Sequence, residues 1–255
     1  MAEDVRAHDR LIPTAPDGDT LSLPGVLPGR VEVLDRGGDH WLIHFHGAAF
    51  VSHQAQSGLV VAVNLGSGSS AYERPFADSG SFGRLVDEVS ERVGRSPETI
   101  ALSAWSAGYG SLRAILRQST GYEIDAVVLL DGLHTDYVPD RLTLHEGGQL
   151  NEEKLTPFGE FARLAAAGER TMLITHSEIF PGTYASTTET AVWIAKAMDI
   201  PREAVLEWGP LGMQLLSRAH SGGLTILGFA GNTAPDHVDH LHALPELIRR
   251  YRPTG

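Results

Sequence analysis

The chain alternates between two hydrophobic patterns. Six short runs are continuously apolar and each ends in small or polar residues: W-L-I-H-F-H-G from Trp41, L-V-V-A-V-N-L-G from Leu59, T-I-A-L-S-A-W-S from Thr99, A-V-V-L-L-D-G from Ala126, T-M-L-I-T-H-S from Thr171 and G-L-T-I-L-G-F-A-G from Gly223. Continuous hydrophobicity marks strands covered on both faces. Between them, apolar residues recur at helical spacing. Phe82, Leu85, Val86, Val89 and Val93 form one such set, closed by Gly94. Leu112, Ile115 and Leu116 form another, followed by Phe158, Phe161, Leu164 and Ala165, and by Ala191, Ile194, Ala195 and Met198. A last helix should open at Pro235 or Asp236, carry Val238, Leu241, Leu244 and Ile248, and bend or restart at Pro245.

This alternation predicts an α/β fold: a mostly parallel central sheet with helices on both faces. V-E-V-L-D at 31–35 should add an antiparallel strand at the start. Residues 1–255 read as a single domain, without repeats or a shift in composition. Two stretches, 134–156 and 180–222, do not fit simple crossovers and are rich in Gly, Pro, Thr and aromatics; they are expected to form lid or cap insertions.

Composition narrows the function. A formal net charge of −12 opposes nucleic-acid binding, which needs Lys and Arg to displace counterions, and disfavours docking on an anionic membrane. There is no cysteine, which excludes disulfides, thiolate metal sites and a Cys nucleophile. The polar start M-A-E-D-V-R shows no signal-peptide core, which points to a cytoplasmic protein, although a mature secreted form is also compatible. No apolar stretch approaches the roughly 20 residues of a membrane span. Oligomeric state leaves no trace in the sequence.

The stretch A-L-S-A-W-S-A-G-Y-G, 101–110, ends one apolar run and begins a helical one. Around Ser106 it reads A-x-S-x-G, with Ala104 and Gly108 two residues to either side. It resembles the G-x-S-x-G nucleophile elbow of the α/β-hydrolase family, with Ala104 replacing the first glycine. Such an elbow turns so sharply that its flanking residues must be small. Ser103 is the competing serine, but it falls inside the strand. H-F-H-G-A-A at 44–49 resembles the H-G oxyanion motif of lipases and esterases, and D-H-V-D-H follows the last strand. The motifs stand in family order over roughly 40–250.

The resemblance implies an acyl-enzyme on Ser106, with no metal and no organic cofactor. It implies an oxyanion hole from the N–H groups of Ala107 and Ala48, with Gly47 or Ala49 as substitutes for the latter. It implies a general base after the last strand, His237 or alternatively His240; His242 is better placed for packing. It implies an acid between Ser and His in the chain. Asp131, at a strand tip, and Glu178, after the following strand, both qualify, with Asp136 and Asp236 behind them. Trp105 and Tyr109 flank the nucleophile and are expected to bind substrate, an ester or amide of a small molecule, with ester favoured. Tyr184, Trp193 and Trp208 lie in the expected lid, and His134 and His176 near strand ends.

Two other readings stand beside this one. His44 and His46, two apart on a strand, should share a face and could start a metal-dependent hydrolase site extended by His176, His237, His240 and His242. The same fold also serves non-catalytic binding proteins.

Overall fold

A computed structural model describes residues 10–55 and 58–251; the polar start M-A-E-D-V-R, read above as lacking a signal-peptide core, lies outside them. Among the described residues, ten strands form one sheet. They are β1 (Asp19–Ser22), β2 (Arg30–Asp35), β3 (His40–Phe45), β4 (Leu59–Asn64), β5 (Thr99–Trp105), β6 (Ala126–Leu130), β9 (Thr171–His176), β10 (Glu203–Trp208), β11 (Gln214–Ser221) and β12 (Leu224–Phe229). Two short strands, β7 (Tyr137–Val138) and β8 (Gln149–Leu150), pair in a separate hairpin. The sheet order is β1-β2-β4-β3-β5-β6-β9-β12-β11-β10. The six strands from β4 across to β12 are parallel, and they are the six continuous apolar runs; the outer strands are antiparallel.

The helices are α1 (Ala49–Ser52), α2 (Ser69–Glu73), α3 (Ser81–Val93), α4 (Tyr109–Leu116), α5 (Thr156–Ala166), α6 (Thr187–Ala197), α7 (Ala234–His242) and α8 (Leu244–Tyr251). Side chains that alternate along each strand enter two separate cores. Trp41, Ile43 and Phe45 of β3 pack with Phe82 and Leu85 of α3, Leu112 of α4 and Phe158 of α5. Leu42 packs on the other face with Val51 of α1, Leu241 of α7 and Leu244, Leu247 and Ile248 of α8. α3 closes at Gly94, whose φ of +72° is the left-handed conformation that glycine adopts without a Cβ penalty. The final helix restarts at Leu244–Pro245, because proline at the start of a helix lacks only an N–H that would be unpaired there anyway.

In the 134–156 stretch the chain forms the β7–β8 hairpin and two 3₁₀ turns. The 180–222 stretch divides differently. Residues 187–197 form α6, which packs in the core, and 203–221 form β10 and β11, which extend the sheet. From this stretch, Pro181 and Tyr184 line a cavity together with Ser106, as does Ile179 just before it.

Candidate active site

β5 ends at Trp105 and the chain turns at Ser106 into a 3₁₀ turn and then α4. Ser106 has φ +48°, a conformation that costs a non-glycine residue on the order of 1–3 kcal/mol and persists only where the surroundings enforce it. Two glycines enforce it here. A Cβ on Gly108 would lie 2.2 Å from the carbonyl oxygen of Phe45, and one on Gly132 would lie 2.7 Å from both the backbone N and O of Ser106. The elbow is therefore wedged between the ends of β3 and β6. Ser103 is fully buried and its Oγ lies 2.6 Å from His44 Nδ1, well inside the sheet.

Asp131 follows β6 directly, also with positive φ (+42°), and is 2% exposed. Its Oδ1 accepts hydrogen bonds from the Ser177 N–H (2.8 Å) and the Thr187 hydroxyl (2.6 Å). Its Oδ2 lies 2.7 Å from His237 Nδ1. Burial alone would raise the Asp131 pKa, but the imidazoles of His240 and His237 and the bond from Thr187 outweigh it, so the group is held well below the usual carboxylate range. A carboxylate can only accept, so His237 Nδ1 carries a proton, and the tautomer that this bond selects has its lone pair on Nε2. His237 sits in the first turn of α7, where Thr233 and Asp236 form a capping box.

Three aromatic groups stack behind this pair. Trp105 lies 4.8 Å from the His237 ring and donates its indole N–H to the His237 carbonyl at 2.9 Å. On its other side it stacks on His46, at 5.1 Å and 12°. The Tyr72 hydroxyl accepts from the Leu65 N–H and lies 2.7 Å from His46 Nδ1. Burial, followed by repulsion from His237, lowers the His46 pKa.

Two cavities meet at Ser106. One, of about 410 Å³, is lined by Ala107, His46, Tyr109 and Asp136 among others. The second, of about 280 Å³, is lined by Asp131, His237, Ile179, Pro181 and Ala234 among others. Ser106, His134 and Tyr184 line both. A further cavity of about 500 Å³, beside β1, β2 and α1, shares no lining residue with either.

No family model and no curated protein matches the sequence. Solved structures do match. A puromycin-hydrolyzing peptidase from Mycobacterium tuberculosis superposes with a TM-score of 0.53 at 14% identity, over 96% of this chain but only 41% of the peptidase. A carboxyl esterase from the mycorrhizal fungus Tuber melanosporum gives 0.52 at 12% identity, over 96% of this chain and 89% of the esterase. A truncated carbohydrate esterase from gut microbiota gives 0.53 at 11% identity, over 94% and 98%. The chain has the α/β-hydrolase fold.

Within this α/β-hydrolase fold, Ser106, Asp131 and His237 come together, and the alternatives do not. Glu178 is exposed and exchanges hydrogen bonds with the backbone of Gly231. Asp136 pairs with Lys154, and Asp236 caps α7. His240 is buried with its Nδ1 2.7 Å from Thr175 Oγ1, which also accepts the Asp131 N–H; it braces the acid from below. His242 Nδ1 accepts the Leu11 N–H. Tyr109 lines the larger cavity, whereas Trp105 lines neither and packs between two histidines.

His44 and His46 do not share a face. β3 ends at Phe45 and His46 has φ +72°, which turns its ring toward Tyr72 and Trp105 while His44 stays buried beside Ser103. Among the described residues, no three His, Cys, Asp or Glu side chains cluster as metal ligands. Among them, too, no helix is long and apolar enough to cross a membrane. Sequence reasoning missed Thr187, Ser177 and Thr175, which hold Asp131 through ordinary hydroxyl and backbone groups that carry no motif.

Proposed function

We propose that this protein is a serine hydrolase that cleaves a small-molecule ester through an acyl-enzyme on Ser106. The observation that carries the reading is the 2.7 Å Asp131–His237 bond, made in a cavity that Ser106 also lines from a strained turn. His237 Nε2 takes the Ser106 proton as Oγ bonds to the carbonyl carbon. Asp131 fixes the tautomer and stabilises the imidazolium. The imidazolium then protonates the leaving alcohol as its C–O bond breaks. Water repeats the sequence: His237 removes its proton as the water oxygen bonds to the carbonyl carbon, the acyl–Oγ bond breaks to release the carboxylic acid, and Ser106 Oγ recovers its proton from His237.

The tetrahedral intermediate needs donors aimed at its oxyanion. Ala107 lies at the start of the helical turn and lines the larger cavity, which supports its N–H as one donor. In the H-G loop, the His46 N–H is committed to the Val63 carbonyl and the Gly47 N–H to Asn64 Oδ1, which argues against Gly47 and leaves Ala48, with Ala49 as its alternative, for the second donor. The hydrolases of this fold named above support ester or amide cleavage in general; ester is the narrower proposal.

The test is a fluorophosphonate probe read by intact mass, on the wild type and on Ser106→Ala, with and without chelator. One adduct that is insensitive to chelator and absent from Ser106→Ala supports the reading. No adduct, or one that survives in Ser106→Ala, overturns it.

A further inference from the structure

We infer that the larger cavity receives the acyl half of the ester, and that the acyl group carries a hydroxyl recognised by His134 Nε2. The inference rests on the hydrolase reading above and adds a substrate class to it.

Proton transfer decides which half goes where. The leaving alcohol must take its proton from His237, and His237 lines the smaller cavity with Ile179, Pro181 and Ala234. The carbonyl oxygen must face the Ala107 N–H, and Ala107 lines the larger cavity. With oxyanion and leaving group so placed, the acyl chain runs into the larger cavity.

That cavity is built for a polar group. Ser67, Ser69, Tyr109, Thr135 and Asp136 line it, and Ser106 and His134 line both it and the smaller cavity. The His134 ring is fixed between Tyr109 (5.7 Å, 68°) and Tyr184 (5.0 Å, 90°). Its Nδ1 lies 2.9 Å from the Ala185 carbonyl, which can only accept, so Nδ1 holds the proton. Burial lowers the ring's pKa, which favours its neutral form. Nε2 is then an acceptor, and among the described residues no protein group donates to it. An alkyl chain would leave this acceptor dry and unpaired, whereas a hydroxyl would satisfy it. Sites that hydrogen-bond a substrate hydroxyl reject analogues that lack it.

The test uses ethyl esters of butanoic, 2-hydroxybutanoic, 3-hydroxybutanoic and 3-aminobutanoic acids, on unlabelled wild type and His134→Phe, with a separate aliquot of each treated with fluorophosphonate to count reactive Ser106. Phe keeps the ring contacts and removes the acceptor; His134→Gln, which retains an acceptor, is the second variant. At least one hydroxy ester is expected to exceed butanoate in kcat/KM by about tenfold or more. That ratio should fall to near unity in His134→Phe and recover in part in His134→Gln. Equal or faster turnover of butanoate by a wild type whose separate aliquot takes the label overturns this inference and leaves the hydrolase reading intact. Preference for the ammonium ester also overturns it, and would point to Asp136. If His134→Phe does not fold, the wild-type series alone decides. A wild type that takes no label overturns both readings.

Discussion

Trp105 holds His237 at two points, through ring contact at 4.8 Å and an indole N–H donated to its backbone carbonyl at 2.9 Å. The residue next to the candidate nucleophile thus locates the candidate base, and His46 backs it from behind. Trp105→Phe keeps most of the ring contact and loses the donor, which should cost about 3–10-fold in kcat. Trp105→Ala loses both and should cost about 10–100-fold. KM should move less than kcat, because Trp105 lines neither cavity. Steady-state kinetics with a small ester checks this; a pure KM effect would assign Trp105 to substrate binding instead.

The choice of acid can be tested directly. Asp131→Asn keeps the shape but removes the acceptor that fixes the His237 tautomer, and should lower kcat by about 10²–10⁴-fold. Glu178→Gln alters an exposed loop contact to Gly231 and should stay within about twofold of wild type. Thr187→Val leaves Oδ1 with the Ser177 N–H alone and should fall between them. A large loss in Glu178→Gln would reverse the assignment.

Gly132 touches the elbow backbone, so Gly132→Ala tests whether that contact shapes the nucleophile. The added Cβ would meet Ser106 N and O at 2.7 Å, and backbone atoms cannot swing aside. A loss of about 1–3 kcal/mol in stability is expected, together with slower fluorophosphonate labelling. Thermal melts and labelling rates read the two effects separately. Unchanged labelling would mean the turn tolerates the shift.

Stability should fall on mild acidification. Burial lowers the His44 pKa from 6.5 to about 3, and burial followed by the charge of Arg202 lowers that of His176 to about 4. Both rings are neutral when folded, and both bind a proton when unfolded below pH 6.5. Their contribution is complete above 6.5 and is lost as pH falls toward the folded values. Each should add a slope of about 1.4 kcal/mol per pH unit between pH 6 and 4. Asp131 acts in a lower window, because its depressed pKa contributes stability that begins to be lost only near its unfolded value of 3.8. Urea titrations from pH 7 to 4, on wild type and His44→Leu, check this. The substitution should flatten the slope by one proton's worth.

Much of this architecture was legible because it rests on periodicity. Buried parallel strands must be apolar on both faces, so the six runs stood out, and Pro245 marked the helix restart. The acid remained open between Asp131 and Glu178 because chain order admits both, and only the sheet decides which tip faces α7. The 203–221 hairpin read as lid because β10 is largely exposed and lacks an apolar run. β11 did carry a signal: its buried positions alternate with half-buried or exposed ones, as expected for a strand near the sheet edge. The separation of His44 from His46 was not legible, since it depends on a positive φ at a residue that is neither Gly nor Asn.

The position of Asp131 at the tip of β6 has a consequence for how such a protein can change. The loop after β9 carries no member of the proposed triad. It is pinned at both ends by the groups that grip the Asp131 carboxylate, Ser177 N–H before it and the Thr187 hydroxyl after it. Between those pins, Ile179, Pro181 and Tyr184 form walls of the cavities. Exchanging 179–184 would redraw what fits beside Ser106 while the catalytic hydrogen bonds stay where they are. Part of the cavity wall thus lies on a stretch of chain apart from Ser106, Asp131 and His237, so that part can drift, or be redesigned, without rebuilding the Asp131–His237 pair.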